Sequence, residues 1–290
     1  MLITNNYDKP KRADVLLSEA NPSYSRAALA KLFDMGHIIG KSKILKPGDK
    51  IQPNFSFQAD ISPINKPAET LYLQILYEDE NVIVIDKPIG VISHARGRYW
   101  DEASVASFVR EKVSDMSGER AGIVHRLDRA TSGVMICAKN QQTLSFLQKQ
   151  FSSRNVKKSY IAVVLGELKH KEATIDVPIA RNPRNPKTFQ ADENGKSAIT
   201  NYQILKGNTN YSLVELKPLT GRTHQLRVHL AYIGHPIIGD AVYNGQNADR
   251  MYLHAHSLEI TLPGGVRKTF VSKLPVEFNN ILYHEQRSIT

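Results

Sequence analysis

An aspartate among basic residues is the first feature of this sequence that could carry chemistry. Arg126, Asp128 and Arg129 lie between two apolar runs in the stretch from Gly122 to Lys139. Nearby positive charge favours the ionised form of a carboxyl group. An ionised and well-positioned carboxylate can act as a nucleophile or as a base. A structural ion pair would give the same pattern, so these residues alone leave both interpretations open.

A second stretch, from Lys217 to Leu230, is rich in hydrogen-bonding side chains. A helix over His224–Ile233 would place His224 and Arg227 on the same face, because residues three apart are neighbours on a helix. A planar guanidinium such as that of Arg227 can hold a carboxylate through two hydrogen bonds. The polar residues of this stretch are Arg222, Thr223, His224, Gln225, Arg227 and His229.

A third stretch, Lys157–Val164, puts Tyr160 at the start of an apolar strand. A tyrosine in this position usually lines the edge of a core. Its ring can also stack on a nucleic-acid base.

The elements that must position these residues are mostly strands. After residue 69, helical patterns occur at about Ser104–Val113, Gln141–Phe151 and His224–Ile233. Because the strands are not separated by regular helices, we expect an α+β fold with a mostly antiparallel or mixed sheet and flanking helices. The predicted strands are Tyr72–Leu76, Val82–Asp86, Val134–Ala138, Tyr160–Gly166, Tyr202–Leu205, Tyr211–Pro218 and His256–Leu262.

The first 52 residues are predicted to form a small α+β domain of their own. A short helix ends near Asn21, a second one follows Ser23 or Ser25, and Gly36 is a plausible helix stop. Short strands and tight turns follow up to Ile51. Residues 53–70 contain three prolines without clear periodicity and are predicted to be a linker. A catalytic domain is expected over residues 71–290.

Composition narrows the class of protein. The chain has 290 residues, and 38 Lys and Arg against 28 Asp and Glu give a formal net charge of +10. Such an excess attracts polyanions, nucleic acid first and anionic membranes second.

The single cysteine, Cys137, excludes an intramolecular disulfide and a cysteine-rich zinc site, and its apolar surroundings predict a buried thiol. We find neither a secretory signal nor the ~20 apolar residues that cross a bilayer. We expect a cytoplasmic monomer that makes no membrane contact.

Taken together, seven motifs in order resemble the RluA-type pseudouridine synthases from about Leu71 to Phe278. His94–Trp100, after the first motif, has an unusual basic and aromatic content that could alter substrate choice. The motifs are Asp86–Gly90, His125–Asp128, Lys158–Ala162, Gly195–Lys196 followed by Ala198 and Thr200, Thr220–His229, His235–Asp240 and Leu253–Ala255.

The resemblance implies an isomerase that converts uridine to pseudouridine within RNA, in a central RNA-binding cleft and without cofactor or metal. It implies that Asp128 is the catalytic residue, which could attack the ribose, attack the base or remove a ribose proton. Arg227 matches the position that pairs with this aspartate, and Tyr160 the tyrosine that stacks on the target base and helps the final proton removal. Arg126 matches the side chain that fills the gap left by a flipped uridine. The predicted substrate-binding residues are Arg126, Arg222, His224 and Gln225.

The N-terminal domain resembles the small RNA-binding domain named after ribosomal small-subunit protein four. The resemblance implies that its phosphate-facing side includes Arg26, Lys31, Lys41 and Lys43. Because such an added module suits the members that act on ribosomal RNA, we expect ribosomal RNA, most readily that of the large subunit, rather than transfer RNA.

Two other classes of protein remain open. One is a non-catalytic RNA-binding protein on the same scaffold, although such a protein would be expected to have lost the aspartate, tyrosine or arginine. The other is a metal-dependent hydrolase that uses His224, His229, His254 and His256, although their spacing matches no zinc motif known to us.

Overall fold

The computed structural model describes residues 1–41, 43–65, 71–94, 102–113, 116, 120 and 122–283. Of the basic and aromatic stretch His94–Trp100, residues 95–100 lie outside this described part. The described residues form two compact units, one within Met1–Thr70 and one that comprises Leu71–His94 and the chain from Ser104 onwards. Within these residues no helix is long and apolar enough to span a membrane.

The N-terminal unit combines two short helices with short strands. Ser25 caps the second helix, because its side chain accepts a hydrogen bond of 3.2 Å from the backbone N–H of Ala28. Gly36, with a φ of 77°, follows the end of that helix. The elements are β1 (Leu2–Thr4), β2 (Lys11–Arg12), α1 (Ala13–Ala20), α2 (Arg26–Asp34), β3 (Ile38–Ile39), β4 (Lys50–Ile51), β5 (Ser56–Ala59) and a 3-10 helix (Ser62–Asn65).

The expected linker over residues 53–70 is wrong for residues 56–65. Strand β5 lies between β1 and β3 in a three-stranded antiparallel sheet. Phe57, Ala59 and Ile64 are buried in the core of the N-terminal unit. The alternation of Ser56, Phe57, Gln58 and Ala59 is a strand pattern, but the flanking prolines obscure it. Residues 66–70 lie outside the described part.

The second unit is built around one large sheet. Its elements are β6 (Gln74–Glu78), β7 (Val82–Lys87), α3 (Val105–Arg110), β8 (Ser132–Ala138), α4 (Gln141–Ser152), β9 (Lys157–Leu165), β10 (Glu172–Asp176), β11 (Ile179–Arg181), β12 (Phe189–Ala191), β13 (Ile199–Gly207), β14 (Tyr211–Pro218), α5 (Gln225–Tyr232), β15 (Leu253–Thr261), β16 (Arg267–Val271) and α6 (Glu277–Tyr283).

In the described residues this sheet has nine strands, and β8–β15 is its one parallel pair. The order is β10-β13-β14-β9-β15-β8-β7-β6, and β16 pairs with the second half of β15. Strands β11 and β12 form a separate hairpin. The predicted α+β class with a mixed sheet is confirmed.

Each predicted strand overlaps an observed one, but the sequence did not reveal β10, β11, β12 or β16. Only Ile175 is buried in β10, because this strand lies at the edge of the sheet. Strands of three residues, such as β11 and β12, are too short to show a period. Helix α5 begins at Gln225, one residue later than expected.

The core of the sheet fixes the elements that carry the polar stretches. Strand β8 is buried along its whole length, and it follows directly on the loop that contains Asp128. Cys137 lies in this strand with no exposed surface, as expected, and burial raises the pKa of its thiol to about 12. Strand β9 pairs with β14 and β15, so the start of β9 lies in the middle of the sheet.

Candidate active site

A cavity of about 600 Å³ opens in the second unit. Five segments line it: the loop before β8, the start of β9, the end of α4, the connection from β14 into α5 and the start of β15. The structure brings together in this cavity all seven residues predicted for catalysis and substrate binding, which are Arg126, Asp128, Tyr160, Arg222, His224, Gln225 and Arg227.

Asp128 reaches the cavity from the loop before β8. Its Oδ2 accepts a hydrogen bond of 3.3 Å from Nη1 of Arg227 and lies 3.6 Å from Nε2 of His224. The side chain is 29% exposed, so part of the carboxylate is open to a ligand in the cavity. Because the backbone N–H of Thr131 donates to the carbonyl of Asp128, a tight turn holds the loop.

Lys87 supports this loop from behind. Its side chain is fully buried, and Nζ donates to the carbonyls of Pro88 at 2.9 Å, Val91 at 2.7 Å and Arg129 at 3.5 Å. Burial lowers the pKa of Lys87 to about 8, although the charge of Asp128 opposes this effect. The ammonium group therefore ties the end of β7 to the residue that follows Asp128.

Arg227 forms its bidentate pair of hydrogen bonds with Asp240 and not with Asp128. Nε and Nη2 of Arg227 each donate to one carboxylate oxygen of Asp240 at 2.7 Å. Asp240 is 1% exposed, and Arg227 is 7% exposed. The sequence indicated that Arg227 holds a carboxylate through two hydrogen bonds, but the carboxylate is that of Asp240. Arg227 donates to Asp128 from its remaining nitrogen, Nη1. Asp240 thus fixes the guanidinium that faces Asp128.

His224 precedes α5 in the left-handed region, with φ 56° and ψ 17°. A histidine in this conformation is uncommon, and such strain is often found at functional sites. Its Nδ1 lies 2.8 Å from the hydroxyl of Tyr243, which also accepts from the backbone N–H of Phe189. Tyr243 can therefore donate to Nδ1, which leaves Nε2–H directed at Asp128. Burial lowers the pKa of His224, although Asp128 opposes the shift, so the ring is neutral at neutral pH.

Gln225 is engaged inside the protein, contrary to the expectation that it binds substrate. Its Oε1 accepts from the hydroxyl of Thr220 at 2.7 Å and from the N–H of Arg222 at 3.0 Å. Its Nε2 donates to the carbonyl of Ile199 and to Oγ1 of Thr200, both at 3.0 Å. Four bonds saturate these two atoms. The amide therefore fastens the first turn of α5 to β13.

Tyr160 and Lys158 line the cavity from the same face of β9, since residues two apart in a strand point the same way. Burial, and to a lesser extent the charge of Asp128, raise the pKa of the Tyr160 phenol. The phenol is therefore protonated at neutral pH.

Arg126 and Arg222 add positive charge to the walls. Arg126 is exposed and lies two residues before Asp128. Arg222 donates from Nε to the carbonyl of Ser197 at 3.0 Å. Both line the cavity.

Sequence reasoning gave no role to three residues of this site: Lys158, Asp240 and Tyr243. Asp240 is the last residue of the motif His235–Asp240. This motif supported the resemblance, but it did not indicate that Asp240 pairs with Arg227. Lys158 could have been found from the two-residue period of a strand that also presents Tyr160. Tyr243 lies in a stretch with no recognised motif.

The histidines that a hydrolase would need do not converge. His229 is buried between Oγ1 of Thr200 and the carbonyl of Val177. His254 is buried between Ser132 and Ser272. In the part of the chain that the structure describes, no group of three or more His, Cys, Asp or Glu is placed to hold a metal ion.

The four cations predicted for the N-terminal unit differ in their surroundings. Arg26 pairs with Asp14 at 3.3 Å, and Lys43 pairs with Asp49 at 2.9 Å. Nζ of Lys41 lies 4.4 Å from the ring centre of Phe55. Lys31 is partly buried on α2.

Residues 81–232 match the sequence family described as RNA pseudouridylate synthase. This range contains Asp128, Tyr160 and Arg227.

Two relatives named ribosomal large subunit pseudouridine synthase D are similar over most of the chain. The protein of Borreliella burgdorferi is 39% identical over 252 residues, which cover 82% of this chain and 77% of the relative. The protein of Pseudomonas aeruginosa is 32% identical over 288 residues, which cover 92% and 90%. The solved structure of human RNA pseudouridylate synthase domain containing 4 has a TM-score of 0.60 at 27% identity, covering 73% of this chain and 93% of that chain.

Proposed function

Since the chain belongs to the RNA pseudouridylate synthase family and is an isomerase acting on RNA, we propose that Asp128 is its catalytic carboxylate and large-subunit ribosomal RNA its substrate. The names of the two relatives support the choice of RNA. The position of Asp128 supports the choice of residue.

The reaction has definite chemical needs. The bond between C1′ of the ribose and N1 of uracil breaks, a bond between C1′ and C5 forms, the C5 proton leaves and N1 gains a proton. No electrons are exchanged with another molecule. The site must therefore hold the ribose and the detached base close together, and it must provide a group that reacts with the nucleotide and one that moves a proton.

One observation carries the assignment of Asp128. It is a partly exposed carboxylate in the cavity wall, and its orientation is fixed by a buried arginine that is itself fixed by Asp240. A structural ion pair would need no cavity beside it. Attack on the ribose, attack on the base and removal of a ribose proton all start from a carboxylate in this position.

The neighbours of Asp128 take complementary roles in this proposal. Arg227 orients the carboxylate and balances its charge. Tyr160 offers a ring on which the target base stacks. Because its phenol enters the reaction protonated, it can accept the C5 proton only while passing its own proton on. His224 presents an N–H to Asp128 or to the nucleotide.

Access to the cavity requires the uridine to leave its stack, which costs a few kcal/mol. In this proposal Arg126, which is exposed at the wall beside Asp128, occupies the vacated position, and Arg222 meets the RNA backbone. The N-terminal unit, with residues up to Asn65, serves as a second RNA-binding surface that holds a distant segment of the same RNA.

Mapping of pseudouridine across total RNA from cells with and without the gene tests the proposal. We expect one or more sites in large-subunit ribosomal RNA to disappear on deletion and to return with the wild-type gene. Sites lost only from transfer RNA would contradict the proposed substrate, and an unchanged map would contradict the proposed function.

A further inference from the structure

Lys158 is a cation in the cavity wall, and no carboxylate among the described residues balances its charge. Its Nζ donates to the carbonyl of Thr220 at 3.2 Å. Among the described residues this is the one hydrogen bond that the ammonium group makes. An ammonium group has three N–H donors, so two more can face a ligand. In the same part of the chain, no carboxylate lies within 4 Å of Nζ.

Three other cations of this unit have hydrogen-bonding partners. Arg227 is held by Asp240, Arg250 pairs with Glu277 at 2.6 Å, and Lys87 is surrounded by three carbonyls. Burial lowers the pKa of Lys158, and no acid in the part of the chain that the structure describes opposes this shift. Removing a charge from water without a partner is costly. The position therefore calls for an anion that arrives with the ligand.

We propose that Lys158 binds a backbone phosphate of the target nucleotide, with Thr220 holding the ammonium in place. This inference rests on the proposed function, because it takes the ligand of the cavity to be a uridine of RNA. A phosphate fits better than a uracil carbonyl, since only an anion offsets the charge of the partly buried ammonium. Arg154, which lines the cavity at the end of α4, lies on a neighbouring segment and adds to the positive field.

Three small compounds separate the phosphate from the base: uridine, uridine 3′-monophosphate and uridine 5′-monophosphate. Their affinities for the full-length protein are measured by NMR titration at low salt. We expect one of the two monophosphates to bind about tenfold more tightly than uridine, because a charge-assisted hydrogen bond is added. The compound that gains affinity identifies the phosphate on the 3′ or the 5′ side.

Lys158→Gln should reduce this phosphate advantage to less than about threefold while leaving the affinity for uridine unchanged. Lys157→Gln is the matched control, because Lys157 is the preceding residue on the opposite face of β9, is 74% exposed and pairs with Glu259. It should keep the full advantage. Lys158→Met, which retains the apolar stem, provides a second test if the Gln variant does not fold.

Equal affinity of the wild-type protein for all three compounds, or an undiminished advantage in a folded Lys158 variant, overturns the inference. Asp128→Asn should keep the phosphate advantage. An error in the assignment of Asp128 would therefore show in turnover and not in this titration, and an error about Lys158 would show in the titration alone.

Discussion

The guanidinium of Arg227 is shared between two carboxylates with different exposure. Asp240 is buried and takes two of its nitrogens, whereas Asp128 is partly exposed and takes one. The buried pair thus acts as a fixed support, and the exposed carboxylate stays available to a ligand. Removal of either partner of a buried pair leaves an uncompensated charge, which costs about 3–5 kcal/mol.

Arg227→Lys should be far more harmful than its conserved charge suggests. Lysine cannot form the two parallel hydrogen bonds to Asp240, so the charge that faces Asp128 loses its fixed position. We expect the single-turnover rate of pseudouridine formation to fall by about 100-fold or more. Rapid-quench measurement with excess enzyme gives this rate directly.

Arg250→Lys provides the matched control. Arg250 is also ion-paired, with Glu277, and its side chain is 10% exposed, but it does not line the cavity. Both variants should lose stability, and only Arg227→Lys should lose the chemical step. Near-normal single-turnover rates for Arg227→Lys would show that Arg227 does not orient Asp128.

For individual residues, the sequence indicated which side chains lie in one site but not which hydrogen bonds they form. Asp128, Tyr160 and Arg227 were predicted to act together, and all three line one cavity. The bond from Arg227 to Asp240 could not be read from the sequence, because an arginine fork fits any nearby carboxylate equally well. Which one it meets depends on the path of the chain after α5.

At the scale of elements, the entry into α5 determines the shape of the cavity. His224 is held in the left-handed region by contacts on both sides, and the Gln225 amide joins the helix to β13. The sequence pattern indicated a helix from His224. Side-chain periodicity does not reveal that the backbone of this first residue adopts the left-handed conformation. The strain and the hydrogen bonds that retain it arise only in the folded protein.

Gln225→Leu should lower the free energy of unfolding by about 2–4 kcal/mol, because it leaves buried partners of the amide unsatisfied. Urea unfolding of the full-length protein measures the change. Gln203→Leu, on the exposed face of β13, is the matched control and should stay within about 0.5 kcal/mol of wild type. An unchanged stability combined with a higher KM would instead indicate that Gln225 contacts the RNA.

At the scale of the whole molecule, the chain combines a catalytic unit with a smaller unit that has its own core. The sequence indicated both units and a boundary near residue 52, but the structure extends the first unit to at least Asn65. The short strand β5 was missed because its hydrogen-bonding partners are β1 and β3, which are distant in sequence.

Deletion of Met1–Thr70 should leave a folded and active catalytic unit. Activity on a short stem-loop that carries the mapped uridine should change little, and activity on long structured RNA should fall through weaker binding. Because Asp14 and Asp49 already engage Arg26 and Lys43, we expect the slope of log affinity against log salt to flatten by only about 1–2 units. Binding titrations between low and moderate salt measure this slope.

Two other outcomes would be informative. An unchanged salt slope would contradict an RNA-binding role for the N-terminal unit. Equal losses on the short and the long RNA would indicate that this unit supports the catalytic fold.

The most direct measurement is the turnover of purified Asp128→Asn on RNA labelled with tritium at C5 of uridine. Each isomerisation releases that hydrogen into water, so tritium release counts turnovers. The exposed Asp249→Asn, which lies outside the cavity, is the matched control. We expect Asp249→Asn to act as wild type does. We expect Asp128→Asn to release no tritium above background and to bind the RNA within a few-fold of wild type, because phosphate contacts dominate affinity. Turnover by Asp128→Asn at about one tenth of the wild-type rate or more would contradict the assignment of Asp128 as the catalytic carboxylate.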